Sequence, residues 1–158
     1  MPRLVLFQPQ IPPNTGNVAR TCAATCTELH LIAPLGFSLE DRQLKRAGLD
    51  YWPWVQLHLH SNLQAFARER SERGGRLVAL SSQADAPYTH FRFADDDWLL
   101  LGRETDGLPA EALQLADAQL TIPMPGSVQL GGGVRSLNLS VAAAIVLFEA
   151  IRQLERGI

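Results

Sequence analysis

One short stretch gathers residues that could act together. IPPNTGNVAR, residues 11–20, carries Asn14, Gly16, Asn17 and Arg20 at what reads as the start of a helix. Pro12 and Pro13 hold the approach extended and keep the preceding residues out of helical conformation. Asn14 is then the expected N-cap of a helix running to about Cys26. Gly16 and Arg20 are four residues apart and share a face. Helical side chains lean towards the N-terminus, so Arg20 is expected over Gly16, its guanidinium beside Asn14 or Asn17. Donors gathered at the positive end of a helix suit a phosphate, a carboxylate or a developing alkoxide. An arginine paired with Glu28 or another surface acid accounts for the same residues, and this stretch alone leaves the two readings level.

Three further loops could face a ligand: Ser81-Ser82, GRETDGLP (102–109) and PMPGSVQLGGGVRSLNLS (123–140). Glycine-rich turns let main-chain amides and carbonyls approach closely. Three of them, each after a strand, suit a ligand with a purine and a ribose. Several familiar sites are excluded. The sole lysine, Lys45, precedes Arg46, so there is no phosphate-binding Gly-Lys-Ser/Thr loop. No G-x-G-x-x-G follows a strand, and GGGVRS (131–136) has the wrong spacing. G-x-S-x-G and H-E-x-x-H are absent. Cys22 and Cys26 are neighbours on one helix face, which argues against a disulfide framework and for a reducing cytosol. His30 falls in an expected strand with no second Cys/His cluster to complete a site, so no metal is expected.

The elements that position these loops follow from the apolar pattern. Strands are expected at 3–8, 29–33, 55–59, 76–81, 98–101 and 120–122. Helices are expected at 14–26, at 38–47 capped by Ser38 and stopped by Gly48, at 61–73 capped by Ser61, at 109–115 with Pro109 in the first turn, and at 138–154. Residues 82–95 read as irregular. This alternation predicts a single α/β domain over 1–158, with a mostly parallel sheet and helices on both faces. In such sheets ligands gather beyond the carboxyl ends of the strands, where these loops lie. A net charge of −2 and a pI near 6.1 argue against a generally basic nucleic-acid binder. A polyanion would have to meet a local patch: Arg42, Lys45 and Arg46, or Arg68, Arg70, Arg73 and Arg76. MPRLVLFQPQ does not read as a signal peptide. VAAAIVLF (141–148) is far shorter than the ~20 residues of a membrane span, and no membrane or DNA partner is expected. The last helix is apolar on nearly every side over 139–148, which calls for burial, including against a partner chain.

N-x-G-N-x-x-R (14–20), G-x-E-x-x-G-L-P (102–109) and I-P-M with R-S-L-N-L-S (122–140) together resemble the SPOUT, or α/β-knot, class of RNA methyltransferases. PPNTGN, LGF (35–37) and RAGLDYW (46–52) look like its small bacterial members, the tRNA wobble-nucleotide 2′-O-methyltransferases. The likeness runs from the first strand to the last helix. It implies a C-terminal trefoil knot and a cytoplasmic homodimer joined through the apolar last helix and the knot region. The implied activity is S-adenosylmethionine-dependent 2′-O-methylation of the ribose of nucleotide 34, cytidine or modified uridine, in tRNA, with S-adenosylhomocysteine as product. Leu80, Gly102, Ile122, Met124, Ser136 and Leu137 would hold the cofactor. Arg20, Glu104, Ser136 and Asn138 would be catalytic, and Asn14, Asn17, Arg42, Lys45, Arg46 and Arg135 would meet RNA. Arg103 and Asp106 stand where the resemblance implies proline and arginine, and the glycine-rich loop at 125–134 is longer. The alternatives are a related enzyme for another tRNA or rRNA position, a non-catalytic RNA- or cofactor-binding protein on the same fold, and a flavodoxin-like binder of a small ligand.

Overall fold

The computed structural model describes residues 1–42, 44, 46 and 50–154. Its elements run β1 (Arg3–Phe7), α1 (Pro12–Thr25), β2 (Leu29–Ile32), β3 (Leu57–His60), α2 (Leu63–Arg73), β4 (Leu77–Leu80), β5 (Ala86–Pro87), β6 (Trp98–Leu101), α3 (Ala110–Leu115), β7 (Ala118–Thr121), α4 (Pro125–Leu130) and α5 (Leu139–Leu154). Strand order is β3-β2-β1-β6-β4-β7-β5, and every pairing is parallel. Successive strand residues point to opposite faces, and the core divides accordingly. Leu4, Leu6, Leu29, Leu31, Leu99 and Leu101 pack with Val18 and Ala19 of α1 and Val146 and Leu147 of α5. Val5, Phe7, Ile32, Leu77, Trp98 and Leu100 pack on the other face with Phe66 of α2 and Ala112 of α3. Burial on both faces is why these strands read as continuous apolar runs.

The differences from the expected elements have local causes. The helix expected from Asn14 starts at Pro12, because proline is suited to the first turn. Asn14 therefore lies inside α1, and Ile11, the N-cap, makes no side-chain cap bond. Asn62 rather than Ser61 caps α2, its Oδ1 accepting from the Ala65 N–H at 2.8 Å. β3 is shifted to Leu57–His60. The stretch read as irregular holds β5 and a 3₁₀ turn at Tyr88–His90, and α4 sits in a loop where no helix was expected. Of the helix expected at 38–47, residues 42, 44 and 46 are helical. Lys45, Ala47 and Gly48 lie outside the described residues.

His30 does have histidine neighbours, contrary to expectation. Its ring stacks on His58 at 4.4 Å and lies 5.2 Å from that of His60. Glu28 accepts from His30 Nε2 at 3.0 Å, which leaves His30 Nδ1 to accept from His60 Nε2 at 2.9 Å. The facing nitrogens of His30 and His60 are engaged in that hydrogen bond, and Glu28 is already paired with Arg73 at 2.9 Å and Arg3 at 3.6 Å. The cluster is a hydrogen-bonded ladder at the sheet edge, from Glu28 through His30 to His60, with Glu69 3.6 Å from His60 Nδ1. Burial pulls His30 down from its ordinary 6.5 to about 4, and burial lowers His60 as well. The Arg73 hydrogen bond holds Glu28 at about 2. A buried base that resists protonation makes the fold weaker as pH falls from 6.5 towards 4. A depressed carboxylate weakens it further as pH falls from 4.5 towards 2. The urea midpoint should therefore drop between pH 7 and pH 4.5. His30→Gln should flatten that limb by as much as about 3 kcal/mol. An equally steep limb in the variant would assign the effect elsewhere.

Candidate active site

β1, β4, β6 and β7 are adjacent or nearly so, and the loops leaving their carboxyl ends meet in one cavity of about 440 Å³. It lies near β1, where the strand order runs one way through β2 and the other through β6, the usual position for a ligand in an open parallel sheet. Its walls include Asn14, Leu80, Gly102, Glu104, Ile122, Met124, Arg135, Ser136, Leu137 and Asn138. All six expected cofactor residues are thus together, with three of the four expected catalytic ones.

Three chain segments are tied by side chains at the mouth of α1. The Glu104 carboxylate accepts from the main-chain N–H of Gln10 at 2.9 Å and of Ile11 at 3.1 Å. It also faces Asn14 Nδ2 at 3.5 Å. Asn14 Oδ1 in turn accepts from Asn138 Nδ2 at 2.8 Å. Asn138 Oδ1 accepts from the Ser140 N–H at 2.9 Å and the Ser140 hydroxyl at 2.6 Å, fixing the start of α5. The helix entrance is therefore held by a carboxylate ninety residues away, not by a local cap. Negative charge is favoured there by the helix dipole. A local reading of residues 11–20 could not supply that partner.

Arg20 is not among the residues that line the cavity. It lies on the exposed side of α1, its guanidinium 4.6 Å from the centre of the Tyr51 ring. Its Nη2 donates to the Tyr51 hydroxyl at 3.1 Å. The expected placement beside Asn14 or Asn17 is replaced by this stack, because a planar guanidinium gains from an aromatic face. The alternative pairing with Glu28 is not found either; Glu28 belongs to Arg73. Tyr51 had no role assigned from sequence, although it lies within RAGLDYW (46–52).

The basic patches separate. Arg70 pairs with Asp117 at 3.2 Å, Arg73 with Glu28, and Arg76 with the fully buried Asp97 at 2.8 Å. These arginines hold the fold together and are poor candidates for phosphate. Arg42, Arg46, Arg135 and Asn17 are exposed, and Lys45 is outside the described residues.

Comparison with known proteins accords with this geometry. The chain belongs to the SpoU rRNA Methylase family, whose model matches residues 1–148. It is 46% identical over 154 residues to the tRNA (cytidine(34)-2′-O)-methyltransferase of Saccharophagus degradans (strain 2-40 / ATCC 43961 / DSM 17024), covering 96% of this chain and 94% of the relative. A solved structure concerned with 2′-OH methylation of C/U34 on tRNA is 52% identical and superposes with a TM-score of 0.89, covering 98% of this chain and 97% of the other. The AdoMet-bound rRNA methyltransferase of Sinorhizobium meliloti is 27% identical with a TM-score of 0.85, covering 97% of this chain and 56% of the other.

Proposed function

We propose that the chain transfers methyl from S-adenosylmethionine to the ribose 2′-oxygen of nucleotide 34, cytidine or uridine, in tRNA. The observation that carries this reading is the chain of hydrogen bonds from Asn138 through Asn14 to Glu104 across a cavity of main-chain turns, in a protein so like the relatives named above. The cavity suits the cofactor. Its volume is within the range of small-molecule sites, Leu80, Ile122 and Leu137 offer apolar contact to a purine, and the Gly102 and Ser136 turns offer main-chain groups. Leu80, Gly102, Ile122, Met124, Ser136 and Leu137 would hold it there. When bound, S-adenosylmethionine supplies a methyl group on a sulfonium, and S-adenosylhomocysteine remains.

A ribose hydroxyl is a poor nucleophile until its proton leaves, so the site must stabilise a developing alkoxide. Arg20 is proposed for this, as orienter and electrostatic stabiliser, because a guanidinium stays protonated and makes a poor base. Glu104 and Asn138 are positioning residues that hold the entrance of α1 relative to the cofactor turns. Arg42, Lys45, Arg46, Arg135 and Asn17 are the proposed RNA contacts. The reading includes a knotted C-terminal segment, a cytoplasmic location where tRNA is met, and a homodimer. Support for the dimer comes from α5, where Val141 and Phe148 are each 47% exposed. α5 also packs on α1, so a second copy on this face would come close to Arg20.

The test is incubation with labelled S-adenosylmethionine and tRNA lacking the modification, followed by nucleoside analysis. Label in 2′-O-methylated nucleotide 34 is expected. Label elsewhere, or none, rejects the assignment. Sedimentation should give twice 17.4 kDa, and a monomer at micromolar concentration would remove the dimer.

A further inference from the structure

A second cleft, of about 510 Å³, opens on the far side of the 103–107 turn. That turn is closed by paired main-chain bonds between Arg103 and Gly107 at 3.1 and 3.0 Å, and Arg103, Thr105 and Asp106 line both cavities. We propose that this cleft is a nucleobase subsite for the pyrimidine of the nucleotide being methylated, with cytosine favoured over uracil. The inference rests on the methyl-transfer reading above. A base is joined to its ribose by one glycosidic bond, so a ribose presented to the first cavity leaves its base beside the wall shared with the second.

The chemistry of the walls is that of a base reader, not a phosphate site. Arg103 donates to both Asp106 oxygens, at 2.6 and 3.0 Å, so its charge is matched. Arg103 Nη1 also donates to Gln8 Oε1 at 2.6 Å. Arginine has no acceptor, so this bond fixes which way the Gln8 amide faces and leaves its Nε2 as a donor. Gln10 Oε1 accepts from the Thr105 hydroxyl at 2.8 Å, a looser constraint because a hydroxyl can also accept. Neither Nε2 meets an acceptor among the described residues. The main chain here is set at a cost. Gln8 has φ 46°, a left-handed conformation unusual for a residue with a side chain. Gly36 approaches so closely that a Cβ would lie 2.7 Å from Gln10 Cα.

The fixed Gln8 amide, with Gln10 beside it, offers donors that complement the O2 and N3 acceptors of cytosine. Asp106, whose side chain is 61% exposed, keeps lone pairs for the cytosine N4 amino group, the usual partner of a carboxylate. Uracil presents a carbonyl oxygen there, which the carboxylate repels.

Anticodon stem-loops differing only in C or U at the target position test this through the ratio of their kcat/KM values. Asp106→Ala should lower the C-to-U ratio about tenfold, and Asp106→Asn, which puts an amide donor opposite the uracil oxygen, should shift preference towards U. Gln8→Leu should raise KM for both with kcat little changed. An unchanged ratio in folded Asp106→Ala and Asp106→Asn overturns the proposal. If the wild type methylates neither RNA, the methyl-transfer reading has failed. Fluorescence anisotropy with the same stem-loops and S-adenosylhomocysteine then decides the subsite: tighter binding of C sustains it, and equal binding of C and U overturns it.

Discussion

Gly102→Ala should weaken S-adenosylmethionine binding by about ten- to a hundredfold while the protein still folds. A Cβ on Gly102 would lie 2.3 Å from the Gly107 carbonyl carbon, 2.5 Å from Leu108 N and 2.7 Å from Gly107 Cα. These are main-chain atoms and cannot rotate away as a side-chain end can. The 103–107 turn must move bodily, and overpacking of this kind typically costs about 1–3 kcal/mol. Gly102, Gly107 and Leu108 all line the candidate cofactor cavity, so the displacement acts where the ligand would sit. Gly107→Ala is the control. Gly107 has φ 70°, but a Cβ there meets nothing within 4 Å. It carries only left-handed strain of about 1–2 kcal/mol, without the clash. Calorimetric titration should rank wild type, then Gly107→Ala, then Gly102→Ala. Equal affinity for Gly102→Ala and wild type, with a lowered melting temperature that shows the turn has been strained, would move the cofactor elsewhere.

Why the cofactor loops were legible in the sequence, and the entrance of α1 was not, has a physical reason. Strands buried on both faces leave continuous apolar runs, so β1, β2, β4 and β6 stand out, and glycine-rich segments after them mark the rim of the sheet. That pattern marked the loops; Leu80, Gly102, Ile122 and Ser136 were named by the family resemblance, and the fold brings them to one cavity. The orientation of Asn14 depends instead on Glu104 and Asn138, ninety and more residues away. Local capping preference at 11–20 is therefore a sound rule applied without its decisive partner. The histidine ladder is hidden for the same reason, because β2–β3 pairing sets His30 against His58 in register. The Arg103–Asp106 pair shows the reverse case. Its spacing is local and visible, but its effect on Gln8 appears only once β1 and β6 are known to be neighbours.

Arg20→Ala should lower kcat for tRNA methylation by at least about a hundredfold with cofactor affinity unchanged. The split between the two measurements follows from position. Arg20 does not line the cavity, so its loss removes no contact to S-adenosylmethionine. If its charge stabilises the developing alkoxide, the loss falls on the transition state, and removal of one such donor typically costs about 10²–10³ in rate. Tyr51 gives the prediction a second handle. Stacking at 4.6 Å and the 3.1 Å hydrogen bond hold the guanidinium in one place. Tyr51→Phe retains the stacking face and loses the hydroxyl, so a decrease of only a few-fold is expected. Tyr51→Ala loses both and should approach Arg20→Ala. Arg20→Lys keeps the charge without the planar fork and should fall between wild type and alanine. Activity of Arg20→Ala within tenfold of wild type would leave the guanidinium as a partner of Tyr51 only. The alkoxide would then have to be met by the Asn14–Asn138 amides at the mouth of α1.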